Sequence, residues 1–105
     1  MPWLPIAPAA TIPPGEFAQS EIDGVLVAVF NVSGAFYAID DVCTHDGGGL
    51  TGGAVEDDVV ICPRHGARFC LRTGAALSPP AYEPVRTYET RVHDGIVEVW
   101  TEGNG

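Results

Sequence analysis

Apolar residues come in short runs bounded by turn-forming residues, never in long helical stripes. Val25–Phe30 is a nearly continuous apolar run and predicts a buried strand, with Phe36–Ile39 following it across Ser33-Gly34, a hairpin-like dipeptide. Val59–Cys62 and Ala67–Leu71 predict two more strands, joined through Pro63-Arg64-His65-Gly66. Val85–Val92 and Ile96–Trp100 form a last pair across Asp94-Gly95, while Asp23-Gly24 and Thr73-Gly74 mark further reversals. Six or seven short strands at this spacing predict an antiparallel sandwich or barrel. Two segments break the pattern. Asp40–Gly53 is rich in glycine, and Gly74–Pro84 carries Ser78-Pro79-Pro80, which lacks the backbone donors of a central strand.

Composition narrows the classes. The 105 residues suffice for one domain, taken as 1–105, with an expected radius of gyration of about 13 Å. The charge is 5 − 14 = −9, which argues against nucleic acid and against anionic membranes, since both need clustered cations. Thirteen glycines and nine prolines leave almost nowhere for a helix of ordinary length, and no apolar run reaches membrane-spanning length. The N-terminus lacks the basic and apolar regions of a signal peptide. Three cysteines fit a reduced, cytoplasmic setting better than a disulfide framework. No internal repeat or low-complexity tail is evident.

The candidate chemistry lies in two Cys/His pairs, Cys43-Thr44-His45 and Cys62-Pro63-Arg64-His65. Each pair closes a tight turn, so thiolate and imidazole can face one space. Gly47, Gly48, Gly49, Gly52, Gly53 and Gly66 surround them and let backbone N–H groups approach a ligand. Four such ligands suit zinc or an iron–sulfur cluster. Structural zinc is chemically reasonable, although zinc fingers usually separate paired ligands by two or more residues. A Cys43–Cys62 disulfide would leave both histidines unexplained, and chance placement would leave the pairing unexplained. The remaining reading is a [2Fe–2S] cluster with two histidines on one iron.

Here the sequence resembles a family. Cys-Thr-His-Asp-Gly-Gly-Gly-Leu (Cys43–Leu50) and Cys-Pro-Arg-His-Gly-Ala-Arg-Phe (Cys62–Phe69) resemble the two cluster-binding boxes of Rieske proteins. Pro13-Pro14-Gly15-Glu16 is similar to the family's early turn, and Ser78-Pro79-Pro80-Ala81 to the proline loop that covers the cluster. The resemblance implies a small all-β antiparallel sandwich or barrel, with a cluster-binding part of two loops at about 40–84. It also implies one [2Fe–2S] cluster, with Cys43 and Cys62 on the inner iron and His45 and His65 on the outer iron. Neutral imidazoles raise the potential relative to four thiolates.

High-potential members carry two further cysteines that staple the loops, and Gly48 and Arg64 stand at those positions. They also place a Ser and a Tyr hydroxyl beside the cluster, where this chain has Ala67 and Phe69. The expected potential is therefore low, on the order of −150 to 0 mV. Oxygenase catalytic subunits continue into a domain with a two-histidine, one-carboxylate iron site. This chain has only His93 to spare. The resemblance thus implies a soluble, monomeric electron carrier and not an enzyme. It would take electrons from an NAD(P)H-dependent flavoprotein reductase and pass them to a terminal ring-hydroxylating oxygenase. Alternatives are the small subunit of an NADH-dependent nitrite reductase, a helper of another redox pathway, and a structural zinc module.

Other residues have plainer readings. Cys70 is expected to be an ordinary strand thiol and His93 a solvated surface residue. Asp40, Asp41, Glu56, Asp57 and Asp58 read as a solvated face, with steering of a basic partner as the functional alternative. Arg64, Arg68 and Arg72 lie close to the second box and could offset charge or contact a partner, and Trp3 and Trp100 read as packing groups at the edge.

Overall fold

A computed structural model describes residues 3–44 and 47–101. Ten strands occur among them: β1 (Trp3–Pro8), β2 (Phe17–Ile22), β3 (Val25–Val32), β4 (Ala35–Asp40), β5 (Val55–Glu56), β6 (Val59–Ile61), β7 (Arg68–Cys70), β8 (Thr87–Tyr88), β9 (Thr90–His93) and β10 (Ile96–Trp100). The sole helical element among the described residues is a 3₁₀ turn at Ala9–Thr11. The radius of gyration is 12.8 Å.

All pairings are antiparallel, in three sheets ordered β1-β10-β9, β2-β3-β4-β8 and β5-β6-β7. The predicted hairpin turns are present, and each places both turn residues at positive φ: Asp23-Gly24, Ser33-Gly34 and Asp94-Gly95. That geometry matches the twist of the flanking strands.

The sheets pack as the expected antiparallel sandwich, with the four-stranded sheet as its middle layer. Alternation along β3 sends Ala28 and Phe30 to one face and Val27 and Val29 to the other. On the first face they meet Val60, Phe69 and Leu71 of the small sheet region. On the second they meet Val97 and Val99 of β10, with Ile12 and Ile22. A strand covered on both sides has no polar face, which is why the run from Val27 to Phe30 is continuously apolar; Val25 and Leu26, at the strand's start, are exposed.

The predicted single strand Val85–Val92 is two strands. Tyr88 pairs with Ala38 in the middle sheet, whereas Thr90 pairs with Val99 in the outer one. The chain changes sheets at Glu89, whose carbonyl accepts the Trp100 N–H at 2.9 Å. Among the described residues, 41–53 and 74–84 form no strands, apart from an isolated bridge between Ala76 and Phe69.

Candidate metal centre

Two loops project from the small sheet side of the fold, and they share one backbone pattern. In the first, Cys43 N–H donates to Gly48 O at 2.6 Å and Gly47 N–H donates to Cys43 O at 2.7 Å. In the second, Cys62 N–H donates to Ala67 O at 2.7 Å and Gly66 N–H to Cys62 O at 3.0 Å. Gly47 and Gly66 occupy the same place in each loop, at φ +77° and +76°. Glycine is required there because an L side chain is strained at positive φ.

Each loop is thereby closed at its cysteine by the same pair of backbone bonds. Cys43 and Cys62 are fully buried in one apolar cluster with Leu50, Phe69 and Ala81. Their thiols lie within hydrogen-bonding reach of each other. Among the described residues no two cysteines are joined in a disulfide. Burial opposes ionisation of Cys62. Backbone N–H groups of Arg64 and His65, the Cys43 thiol and the Arg64 charge outweigh it and hold the thiol below its ordinary range.

His65 is exposed at the tip of the second loop. His45 lies outside the described residues, so its expected role as a ligand stays an expectation. The structure therefore brings Cys43 and Cys62 together and leaves His65 beside them at the surface. Among the described residues no three ligating side chains converge.

Two adjoining buried thiols, with the Arg64 and His65 N–H groups turned toward the Cys62 sulfur, suit a sulfur-rich, electron-accepting group. The lining is otherwise apolar, since Ala67 and Phe69 are both fully buried and bring no hydroxyl. The residues present fit the cluster.

Three further features hold the loops, and the sequence reading missed or misplaced each. Arg64 lies across the first loop: its Nη1 donates to Gly49 O at 2.9 Å, and a Cβ built on Gly48 would meet its Cζ at 2.6 Å. Positions 48 and 64 thus face each other, joined by a guanidinium packed on a glycine.

Asp41 is a correction. It is 6% exposed and not part of a solvated face. Its carboxylate accepts the Leu50 N–H (2.6 Å), the Thr51 N–H (2.9 Å), the Thr51 hydroxyl (2.8 Å) and Gln19 Nε2 (2.6 Å). Burial favours the neutral acid, but these four donors hold its carboxyl below the ordinary value of 3.8. The first loop is tied by this one charge to β2.

Cys70 begins a third turn of the same kind. Cys70 N–H donates to Ala75 O at 2.9 Å and Gly74 N–H to Cys70 O at 2.7 Å, with Gly74 at φ +81°. The sequence repeats with it: Cys62-Pro-Arg-His-Gly-Ala is echoed by Cys70-Leu-Arg-Thr-Gly-Ala, with Thr73 where the second loop has His65. A short internal repeat therefore exists where none was expected. Burial opposes ionisation of Cys70, but the Thr73 hydroxyl and the Thr73 and Arg72 N–H groups hold the thiol low.

The other arginines of this region are ion-paired, Arg68 with Glu56 and Arg72 with Asp58, both on the surface. His93 is exposed, and Trp3 and Trp100 pack edge to face at 5.2 Å.

Comparison with known proteins agrees with this geometry. Residues 2–89 match the Rieske [2Fe–2S] domain. A 3-phenylpropionate/cinnamic acid dioxygenase ferredoxin subunit of Escherichia coli (strain K12) is 45% identical over 91 residues, covering 86% of this chain and 85% of the relative. Among solved structures, the complex of reduced oxygenase and oxidized ferredoxin in carbazole 1,9a-dioxygenase contains a chain that matches with a TM-score of 0.89. It is 34% identical and covers 96% of this chain and 94% of that one. The ferredoxin of carbazole 1,9a-dioxygenase from Nocardioides aromaticivorans IC177 matches with a TM-score of 0.90 at 29% identity, covering 97% and 100%. With paired cysteine loops over one apolar core and a domain match across most of its length, this chain belongs to the Rieske [2Fe–2S] family.

Proposed function

We propose that the chain is a one-electron carrier and not itself an enzyme. In this reading it receives electrons from an NAD(P)H-dependent flavoprotein reductase and delivers them to the terminal oxygenase of a ring-hydroxylating dioxygenase. Cys43, His45, Cys62 and His65 hold the cluster, which when bound supplies a one-electron couple at the surface. The observation that carries the reading is the contact of two buried thiols in twin loops, with His65 exposed on the same loop as Cys62.

The remaining residues maintain that arrangement. Leu50, Phe69 and Ala81 keep water from the sulfurs. The N–H groups of Arg64 and His65 favour negative charge on the Cys62 sulfur. Arg64 and Asp41 fix the two loops to each other and to β2. Ala67 and Phe69 offer no hydroxyl to stabilise extra negative charge, which supports a potential at the low end of the family's range. Among the described residues no helix is long and apolar enough to cross a membrane. We place the carrier in the cytoplasm as a monomer.

Stopped-flow spectroscopy tests this directly. Protein reduced by a dioxygenase flavoprotein reductase should be reoxidised on mixing with the matching terminal oxygenase. Failure of both half-reactions with correctly loaded protein would refute the reading.

A further inference from the structure

Between β7 and β8 the chain exposes a side chain for which neither the fold nor the cluster site has a use. Tyr82 is 81% exposed and Leu77 is 53% exposed. They line one shallow groove of about 190 Å³ together with Ala76, Ser78, Pro79 and Ala81.

The groove stands on a fixed base. Leu77 N–H donates to Arg68 O at 2.7 Å, and Arg68 N–H donates to Ser78 Oγ at 3.2 Å. Ala81 is buried in the same apolar cluster as Cys43 and Cys62. On the far side the Thr44 hydroxyl donates to Glu83 O at 2.7 Å, bonding the segment to the first cysteine loop. The apolar groove and the cysteine loops are therefore one continuous surface. An exposed tyrosine on a braced segment has the makings of a binding hot spot, because little ordering entropy is lost when it is covered.

Charge narrows the partner. All five cations are arginines, and each is engaged. Arg68, Arg72 and Arg91 are paired with Glu56, Asp58 and Glu98; Arg86 lies 4.8 Å over the Tyr88 ring; and Arg64 binds Gly49 O. The net charge of −9 makes the protein's field negative, and Glu83 directly follows Tyr82 at the groove. A complementary face is an apolar recess rimmed with Lys and Arg.

We propose that Leu77 and Tyr82 form the apolar centre of the surface that docks the terminal oxygenase, and that Tyr82 is the contact that determines specificity. The proposal rests on the function proposed above and adds the residues that recognise the acceptor.

Binding of the cluster-loaded chain to a purified terminal oxygenase tests it. The probe is the oxygenase of the E. coli 3-phenylpropionate/cinnamic acid dioxygenase, measured by interferometry at low and high salt. Tyr82→Ala should weaken binding about tenfold to thirtyfold, and Leu77→Ala less. Tyr82→Phe should bind nearly as the parent does, and Val92→Ala, an exposed apolar residue on β9, should have no effect. Added salt should weaken the parent. The midpoint potential and visible spectrum of Tyr82→Ala should match the parent, which separates docking from damage to the cluster site.

Binding of Tyr82→Ala and Leu77→Ala within twofold of the parent overturns this proposal alone. A parent that neither binds nor reduces the oxygenase overturns the proposed function together with it. Self-association of the parent that Tyr82→Ala abolishes would assign the groove to a second copy, and would equally overturn it.

Discussion

Asp41→Ala is the perturbation that most directly probes how the first cysteine loop is held. It removes a buried carboxylate that accepts four hydrogen bonds and joins β2 to the chain just beyond Gly49. Hydrogen bonds to a charged partner contribute about 1.5–3 kcal/mol each, but the four are not additive. Gln19 is exposed and the Thr51 groups partly so, so water can replace the lost acceptor there. Leu50 is fully buried, and its N–H has no such replacement. The expected loss is therefore about 2–4 kcal/mol, a large share of the roughly 5–15 kcal/mol available to a domain of this size. At about 4–8 °C per kcal/mol, the melting temperature should fall by roughly 10 °C or more. The assay is thermal unfolding of cluster-loaded protein, followed by loss of visible absorbance.

Asp41→Asn keeps the shape and removes the charge, and pH separates its effect from packing. The folded-state carboxyl is held below its ordinary value of 3.8. Its stabilisation is thus present above that value and is lost as pH falls below it. The parent should show this acid limb, and Asp41→Asn should be less stable at neutral pH and flatter below 3.8. An Asp41→Ala protein melting within 2 °C of the parent would refute the reasoning.

Three other outcomes follow from the same geometry. Gly53→Ala would place a Cβ 1.9 Å from Ile61 O, a backbone atom that cannot move aside, so about 2–3 kcal/mol should be lost by thermal unfolding; Gly52→Ala, with open space around it, should cost only about 1 kcal/mol for its positive φ. Burial and the Asp40 carboxylate, which accepts the Tyr88 hydroxyl at 2.5 Å, push the Tyr88 phenol up from 10.0 to about 12. The raised value makes its stabilisation complete below pH 10 and lost between about pH 10 and 12, so Tyr88→Phe should flatten the alkaline limb of a melting curve against pH. Cys70→Ala should loosen the turn that begins β7's exit by about 1 kcal/mol yet leave iron content unchanged, whereas Cys62→Ala should abolish it; iron loss from Cys70→Ala would make Cys70 a ligand.

Much of this architecture was legible because its signals are local. Ser33-Gly34, Asp23-Gly24 and Asp94-Gly95 are turns whose two residues must both take positive φ, and few other dipeptides do so cheaply. The cysteine boxes were legible for the same reason, since each glycine four residues after a cysteine meets a backbone requirement.

What escaped depends on distant partners. β1 contains Pro5 and Pro8, which speak against a strand until its place at a sheet edge beside β10 is known. The split at Glu89 escaped because β8 and β9 share one apolar pattern while pairing with different sheets. Asp41 sits in a run that looks solvated, and only its partners Gln19, Leu50 and Thr51 reveal a buried anchor. The Cys70 turn was available in the sequence as the echo of Cys62–Ala67, but Thr73 in place of a histidine hid it.

In the proposed function Cys43, His45, Cys62 and His65 share one iron pair. Pulsed electron paramagnetic resonance of the reduced protein, grown with ¹⁵N-histidine, reads this directly. Two of the three histidines should show resolved hyperfine coupling to the electron spin, with one coupling lost in His65→Ala and both kept in His93→Ala. A reduced signal without histidine nitrogen coupling, or one untouched by removing His65, would contradict it.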